Sequence, residues 1–437
     1  MDPARGMEEL PLLPALANMV ENLPESLIQI LHWFEEQNAD VWIVGGANRN
    51  ALLGIEVNEY DLATTMTPDE MKTYGNTIPT GERYGTITFR NQGQSYEITT
   101  LRTEFGYNDG RRPDEVEWGD SLLVDLSRRD LTMNSIAVNV MKQTYYDPFQ
   151  GFDDLKKNRL RSVGDPAKRL SEDALRILRT YRFMDQGNAG IWWPEQKLAD
   201  ALRQTRPMID RIASERIWSE FKRILLGQHA PEIVQRMADD GILKQIFAID
   251  WIQDDPRIRL LNQIEGDDVI DRLVVLFREY DSLYCEKISK RLRLSGSEKK
   301  NLIFRHSKLG HIPDDRDSAI RVYAIALGRW SHQHLHLEHL FAQIDRDPVH
   351  DVEDIQKRID RLVDQRIDFD VKPLADGEYI LRKTNLPQGP ILGALKEWLF
   401  YEQIARNLRS IDEIDTLLCT LSWQTSDTTR WPKLQFP

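Results

Sequence analysis

The strongest constraint on the fold is a change in hydrophobic periodicity after the first third of the chain. Up to about residue 150, short apolar runs typical of strands alternate with helix-like segments, as at Val41-Trp42-Ile43-Val44, 85–90 and 95–102. From about Asp165 onward, apolar residues recur at helical spacing instead. The sequence therefore predicts an α+β N-terminal head followed by an all-α remainder.

Length and composition narrow the class of protein further. The chain has 437 residues, 41% of them apolar and 29% charged, which suits a globular protein of several domains. It has no apolar run of the ~18 residues that a membrane span needs, and no signal-peptide pattern at its start. The two cysteines, Cys285 and Cys419, form no Cys-x-x-Cys pair. We expect a cytoplasmic protein without a membrane partner. A net charge of −13 also argues against a protein that coats nucleic acid nonspecifically, although it does not exclude a local basic groove, and we expect no DNA partner.

A glycine pair follows the first strand. Gly45-Gly46 comes directly after Val44, and Arg49 stands one turn into the helix-like segment behind it. Glycines between a strand and a helix let backbone N–H groups approach phosphates, since no Cβ intervenes. Such turns are also common for purely structural reasons. The pair is therefore consistent with a phosphate-binding turn and with an ordinary one.

Two acids stand close together about 13 residues later. The run Tyr60 to Thr64 is predicted to be a strand, and residues i and i+2 of an extended chain point to the same side, so Glu59 and Asp61 face one way. Paired carboxylates repel one another unless a cation lies between them, and Mg²⁺ prefers carboxylate oxygens together with substrate phosphates. The spacing favours metal-dependent phosphoryl transfer. A solvated acidic edge is the alternative interpretation.

The segment Arg128 to Asn134 combines two arginines with short polar side chains. The guanidinium fork of arginine matches phosphate oxygens in a bidentate way. Asp130 and Asn134 are four residues apart and are expected to brace the local turn. The same residue types are typical of a helix N-terminus with capping side chains, which remains an alternative.

Residues 172–183 are predicted to form one amphipathic helix. Its polar face carries four charged side chains: Asp173, Arg176, Arg179 and Arg182. Phe183 is an exception, since it lies on this charged side. An ordinary solvated face is the alternative, but three arginines without a lysine favour planar recognition. An ionised Asp only accepts hydrogen bonds and an Arg only donates them, so Asp173 with Arg176 would pair with cytosine or adenine and reject uracil or guanine.

Taken in order, these motifs resemble those of the class II tRNA nucleotidyltransferases, the bacterial-type CCA-adding enzymes, with bacterial poly(A) polymerases as relatives. The resemblance rests on the following segments: 45–50, 59–64, 128–134, 147–155, 172–183 and 214–217. It is strong over roughly residues 40–230. Beyond that it is looser, although residues 386–399 are similar to the tail of the family.

The resemblance implies a domain order and an activity. The head (1–158) would contain a polymerase-β-like nucleotidyltransferase sheet, followed by an all-α neck (159–230), body (231–330) and tRNA-binding tail (331–437). The implied activity is addition of C, C and A to the 3′ end of tRNA from CTP and ATP, with release of pyrophosphate. Addition of A alone, of CC alone or of a poly(A) tail is an alternative. The polar loop 106–113 is a candidate for the segment whose movement would switch the selected nucleotide from C to A.

The resemblance also implies roles for individual residues. Glu59 and Asp61 would be the catalytic acids and would hold two Mg²⁺ ions, with Mn²⁺ as an alternative. The residues implied to bind the nucleotide are Gly46, Arg49, Arg129, Asp173, Arg176, Arg179 and Arg182. Three positions depart from the family pattern, because Glu59 and Asn50 each replace an Asp and Asn48 replaces an apolar residue. A catalytically impaired tRNA-binding homologue is therefore a further alternative.

Overall fold

The computed structural model describes residues 3–105, 115–345 and 352–436, so the loop 106–113 lies outside the described residues. The chain divides into two units. The first comprises Met1–Asp255 and Arg291–Arg293, and the second comprises Pro256–Lys290 and Leu294–Pro437. The predicted α+β head followed by helices is confirmed. The finer division at residues 158, 230 and 330 stays a prediction.

The first unit contains both strands and helices. Its described strands are β1 (Leu10–Pro11), β2 (Val41–Val44), β3 (Asp61–Thr64), β4 (Thr77–Gly81), β5 (Thr86–Asn91), β6 (Gln94–Thr100), β7 (Arg102–Phe105), β8 (Glu115–Trp118), β9 (Ala137–Asn139) and β10 (Thr144–Tyr146). Its described α-helices are α1 (Pro14–Glu21), α2 (Glu25–Glu36), α3 (Gly46–Leu52), α4 (Pro68–Met71), α5 (Leu122–Ser127), α6 (Gly151–Lys156), α7 (Pro166–Glu172), α8 (Leu175–Met184), α9 (Gln196–Thr205), α10 (Ser214–Leu225), α11 (Ala230–Asp239) and α12 (Ile242–Phe247).

Most of the strands form one mixed sheet in the order β1-β10-β9-β2-β3-β6-β5-β4, and β7 pairs with β8 separately. β3 and β6 run parallel, whereas the other neighbours in the sheet run antiparallel. The predicted hairpin between β5 and β6 is confirmed. Gln92 and Gly93 at its turn have φ of 49° and 79°, as the turns favoured in tight hairpins require.

The strands differ from the prediction at several ends. β3 begins at Asp61 rather than at Tyr60, so Glu59 lies in the segment that leads into the strand. The strand expected over 135–141 is shorter, because β9 covers only Ala137–Asn139, and a 3₁₀ turn over Thr132–Asn134 precedes it. The sequence pattern also missed β1, β4, β7, β8 and β10. Their two to five residues give too little alternation to stand out.

Helix α2 shows why the predicted lead-in helix forms. Leu27, Ile30, Leu31 and Phe34 recur at helical spacing and are almost completely buried. The rings of Phe34 and Phe89 of β5 are 5.7 Å apart. Burial of this apolar face packs α2 as a helical layer on the sheet of the head.

The predicted continuous helix over residues 172–183 is wrong at its first residues. α7 ends at Glu172, Asp173 is extended (φ −138°, ψ 106°), and α8 begins at Leu175. The reason is local hydrogen bonding, because Oδ1 of Asp173 accepts from the backbone N–H of Leu175 at 3.1 Å. Asp competes with helix formation in this way and favours helix starts. Asp173 is therefore a junction residue rather than part of a helix face.

The chain beyond Asp255 is helical. Its described helices are α13 (Pro256–Arg259), α14 (Val269–Leu276), α15 (Ser282–Arg291), α16 (Gly296–His306), α17 (Asp317–Leu327), α18 (Ser331–Asp345), α19 (Val352–Asp364), α20 (Gly377–Thr384), α21 (Pro390–Arg406) and α22 (Ile411–Thr420). A C-terminal core gathers around Leu395, Trp398 and Leu417. Within the described ranges, none of the helices combines the length and the apolar character that a membrane span requires.

Candidate active site

The glycine turn brings a cation and an acid together. β2 and β3 pair so that Val44 lies opposite Asp61, which places the acid beside the turn. Gly45 has φ 77° and ψ −131°, a conformation open to glycine. A Cβ at Gly45 would lie 3.2 Å from Nη1 of Arg129 and 3.7 Å from Oδ2 of Asp61. The bare Cα therefore leaves room for the side chains of Arg129 and Asp61 at the end of the strand.

The two predicted acids are both exposed on this edge. The pKa of Asp61 is raised above its ordinary value. Partial desolvation is the largest cause, the Arg129 guanidinium opposes it, and the Glu59 carboxylate adds to it. The two carboxylates therefore interact through their charges. Among the described residues, no group of three or more His, Cys, Asp or Glu side chains is arranged to hold a metal ion. The oxygen donors of Asp61 and Glu59 nevertheless fit Mg²⁺, which uses one or two carboxylates and completes its shell with substrate phosphate and water.

A third acid was missed by the sequence analysis. Glu97 on β6 is the register partner of Asp61 on the parallel strand β3. It is exposed between buried Tyr96 and Ile98, and neighbouring strands are ~4.8 Å apart, so Glu97 and Asp61 lie on the same face. From the sequence alone, Glu97 looks like any polar residue on the outer side of a strand. Only the strand order shows that it stands beside the predicted metal ligand.

Two of the three family departures have clear local roles. Asn48 is fully buried, and its Nδ2 donates to the carbonyl oxygens of Ile43 at 2.8 Å and Ile136 at 2.9 Å. It thereby links the end of β2 to the segment before β9. Asn50 presents its Oδ1 to Nε and Nη2 of Arg49, at 3.2 and 2.8 Å. The substitution of an Asp by Asn50 thus leaves the Arg49 guanidinium with a neutral partner at this position.

The Arg128–Asn134 segment connects the head to helix α8. Nη1 of Arg49 donates to Oδ1 of Asn134 at 2.7 Å, and Nδ2 of Asn134 donates to Oδ1 of Asp130 at 3.0 Å. Oδ2 of Asp130 accepts from Nε of Arg179 at 2.8 Å. Asp130 is desolvated, but the Arg179 charge and the Asn134 hydrogen bond hold its pKa well below the ordinary value. The predicted bracing of Asp130 by Asn134 is present, and it joins two predicted nucleotide-binding arginines, Arg49 and Arg179.

The predicted base-reading pair is not joined side chain to side chain. Asp173 accepts from Nη1 and Nη2 of Arg216, at 3.3 and 3.0 Å. Arg176 donates to Glu172 Oε2 at 2.9 Å and to the carbonyl oxygen of Arg128 at 2.7 Å. Arg216 belongs to the 214–217 segment of the resemblance, but the sequence analysis gave it no role. Its position shows that the acid of the predicted pair has its own cation on α10.

Comparison with known proteins agrees with this arrangement. Residues 41–161 match the poly A polymerase head domain family. Residues 194–249 match a second family, described as the probable RNA and SrmB-binding site of polymerase A. The head-domain match covers β2, the glycine turn, Glu59, Asp61 and the Arg128–Asn134 segment. It therefore supports the predicted resemblance on the residues that form this site.

Similar curated proteins and solved structures extend this result. The CCA-adding enzyme of Lactobacillus helveticus is 38% identical over 231 residues, which cover 52% of this chain and 57% of that protein. That of Leuconostoc citreum is 41% identical over 241 residues, or 53% and 59% of the two chains. The matched region thus spans little more than half the length of these relatives. The Bacillus stearothermophilus CCA-adding enzyme in complex with CTP is similar in fold, with a TM-score of 0.72 over 94% of this chain and 98% of that one, at 22% identity. The Thermotoga maritima CCA-adding enzyme complexed with tRNA has a TM-score of 0.62 over 93% and 98%, at 19% identity.

Proposed function

We propose that this protein adds C, C and A to the 3′ end of tRNA from CTP and ATP, as a metal-dependent nucleotidyltransferase. The observation that carries the proposal is the meeting of Asp61, Arg129 and the Gly45 turn at one edge of the head. The curated relatives over the first half of the chain are CCA-adding enzymes, and proteins of similar fold were solved with CTP, ATP and tRNA. A cytoplasmic location is part of the same proposal.

In the proposed reaction, the 3′ oxygen of tRNA attacks the α-phosphorus of the nucleotide, and the bond from that phosphorus to pyrophosphate breaks. Glu59 and Asp61 would hold the proposed Mg²⁺ ions, for which Mn²⁺ is an alternative. Bound metal would supply charge stabilisation and lower the pKa of the attacking hydroxyl. Glu97, on the same face as Asp61, contributes a further negative charge to this side of the site.

Arginines hold the phosphates on the other side of the proposed site. Arg129 lies at the glycine turn, where the N–H groups of Gly46 and its neighbours begin helix α3. Arg49, Arg179 and Arg182 present guanidinium forks that bind phosphate oxygens in a bidentate way. The chain therefore provides acids for the metal and cations for the pyrophosphate that leaves.

Base selection is assigned to Asp173 and Arg176. Asp173 accepts from the exocyclic amino group shared by cytosine and adenine, and Arg176 donates to the adjacent ring nitrogen. Both side chains already have partners, so they enter the complex oriented rather than free. Arg216 donates two hydrogen bonds to the carboxylate of Asp173 and so orients it.

Addition of A alone, CC alone or a poly(A) tail is the second candidate, because the same motifs serve those reactions. A catalytically impaired tRNA-binding homologue is a third, favoured by Glu59 and Asn50 in place of Asp. All are separated by incubating the protein with tRNA that lacks its 3′ CCA, and in parallel with tRNA that ends in CC, with labelled CTP, ATP or both, at millimolar Mg²⁺. The proposal predicts incorporation of two C residues and then one A. Incorporation of a single nucleotide type, or of none, rejects it in favour of the corresponding alternative.

A further inference from the structure

The aromatic ring of Phe183 lies at the centre of the arginine cluster. The guanidinium carbon Cζ lies 4.1 Å from the ring centroid in Arg182, 5.0 Å in Arg49 and 5.4 Å in Arg179. Phe183 is only 7% exposed, although it stands on the charged side of α8. The one apolar exception on that side is thus buried, with three cations within 5.4 Å of its ring centroid.

The three guanidiniums are not fully neutralised by acids. Arg179 pairs with Asp130, and Arg182 donates from Nε to Oε2 of Glu220 at 2.6 Å. The hydrogen bonds of Arg49 go to the neutral amide oxygens of Asn50 and Asn134. Burial and then the Arg182 charge lower the pKa of Arg49 to about 10, which reflects repulsion between the two guanidiniums as well as desolvation. Three positive groups therefore share two carboxylates and one aromatic ring.

An aromatic ring suits this position for an electrostatic reason. Its face carries partial negative charge, and it attracts a cation within ~6 Å of the centroid without binding it as an acid would. A carboxylate in the same place would repel an incoming phosphate. The ring therefore stabilises clustered cations while leaving their hydrogen-bond donors available to an anion.

We propose that Phe183 is a positioning residue that holds the guanidiniums of Arg49, Arg179 and Arg182 in one array for the triphosphate of the nucleotide. The inference rests on the proposed function only for the identity of the anion. Arg49 comes from α3 and the other two arginines from α8, so the ring also fixes these two helices in the register that the anion requires. Without the ring, binding has to order the three arginine side chains first, and this lowers the affinity for the anion.

The test measures binding of inorganic tripolyphosphate to the full-length protein by calorimetry, in a buffer without metal. We expect Phe183→Leu to weaken binding about tenfold, the effect of ordering one to three side chains. Replacement of Phe183 by 3,4,5-trifluorophenylalanine keeps the shape of the ring and weakens its negative face. It is expected to give an intermediate loss. Phe221→Leu is the matched control, because Phe221 is buried in the same unit and contacts Phe247; its binding should equal that of the unaltered protein.

Steady-state kinetics with CTP give the second readout. A positioning role predicts a KM raised about tenfold with kcat changed less than about twofold, and near-complete rescue by Phe183→Tyr, which retains the ring. Unchanged tripolyphosphate affinity in the fluorinated protein, or a loss shared equally by Phe221→Leu, overturns the inference. Failure of the unaltered protein to incorporate any nucleotide rejects the proposed function instead, and the binding experiment still decides the role of Phe183.

Discussion

Asp173 and Arg216 form a bidentate ion pair, with Nη1 and Nη2 of Arg216 at 3.3 and 3.0 Å from the two carboxylate oxygens of Asp173. Asp173 stands between α7 and α8, and Arg216 lies in the first turn of α10. The pair therefore fixes the direction of a carboxylate that also accepts from the N–H of Leu175 at the start of α8. It also makes Arg216 a residue through which base selection is tested.

Substitution of Arg216 by Gln is expected to relax selection between CTP and UTP. The change removes a charge-assisted pair worth ~1.5–3 kcal/mol, and Asp173 then turns away from its oriented position. We expect the ratio of kcat/KM for CTP over UTP to fall about tenfold, while tRNA affinity measured by filter binding stays within about twofold. Arg211→Gln, at an exposed position before α10, serves as control. Unchanged selectivity in Arg216→Gln removes Arg216 from base selection.

Substitution of Asp61 by Asn tests the metal side of the proposal. Loss of the carboxylate removes one of the two proposed metal ligands, and we expect kcat to fall at least about a thousandfold, or ~4 kcal/mol. tRNA affinity should remain within about threefold, because Asp61 lies at the edge of the head where we propose that the nucleotide binds, and not in the proposed tRNA-binding tail. Asp69→Asn on α4, at an exposed carboxylate that pairs with Lys72, should change neither quantity. An equal loss of transfer and tRNA binding contradicts the assigned role.

Restoring the family acids separates an active enzyme from an impaired homologue. Glu59 is one methylene longer than Asp, and Mg²⁺ tolerates displaced ligands poorly. We expect the unaltered protein to be active and Glu59→Asp to raise kcat by at most about tenfold. Single-turnover incorporation of CMP is the measurement. No incorporation by the unaltered protein, with activity appearing in the Glu59→Asp, Asn50→Asp double variant, establishes the impaired alternative.

The two hydrogen bonds of Asn48 should contribute to the free energy of unfolding, whereas the apolar residue of the family pattern could not form them. Replacement by Ala leaves the buried carbonyl oxygens of Ile43 and Ile136 without its two hydrogen bonds. We expect a loss of ~1–3 kcal/mol in the free energy of unfolding of the first unit. Denaturant titration followed by tryptophan fluorescence measures it, and the exposed Asn301→Ala on α16 should stay within ~0.5 kcal/mol. A neutral Asn48→Ala would mean that the two carbonyls find other donors.

The Asp130 network predicts a pH dependence. The folded-state pKa of Asp130 lies below the ordinary value of 3.8. Its contribution to stability is therefore complete above pH 3.8 and is lost as the pH falls toward the folded-state pKa. Asp130→Asn should lower the free energy of unfolding by ~1–3 kcal/mol at pH 7, and this deficit should shrink below pH 3.8. Urea titrations from pH 7 to pH 3 check the trend, with exposed Asp239→Asn as control. A constant deficit across that range contradicts the assignment.

The parts of the site that sequence could predict are those encoded by local chemistry. Gly45 was identifiable because a strand ended at a glycine pair, and the hairpin at Gln92-Gly93 because its residues suit a tight turn. Asp173 was placed in a helix, since the helical period continues across it. Yet an Asp directly before an apolar run is also a helix-start signal, and here the N–H of Leu175 decided between the two.

Other features depend on partners that are distant in sequence. Glu97 gained meaning only from the strand order that sets it beside Asp61, and Arg216 only from the packing of α10 near the start of α8. Phe183 looked like a flaw in an amphipathic pattern. In the structure, the ring of Phe183 on α8 contacts the guanidinium of Arg49 on α3, so this residue lies where the two helices meet. Spacing along one element predicts neither kind of relationship, because both arise between elements.

The parallel pairing of β3 with β6 has a consequence for how the head folds during synthesis. Parallel neighbours require a long crossover, and here the connection carries β4 and β5 before the chain returns to Glu97. Contacts between residues so far apart in sequence are slow to form, because loop-closure entropy opposes them. During synthesis, the strand that bears Asp61 therefore leaves the ribosome well before its partner. The negative edge of the head is completed only when the crossover has closed.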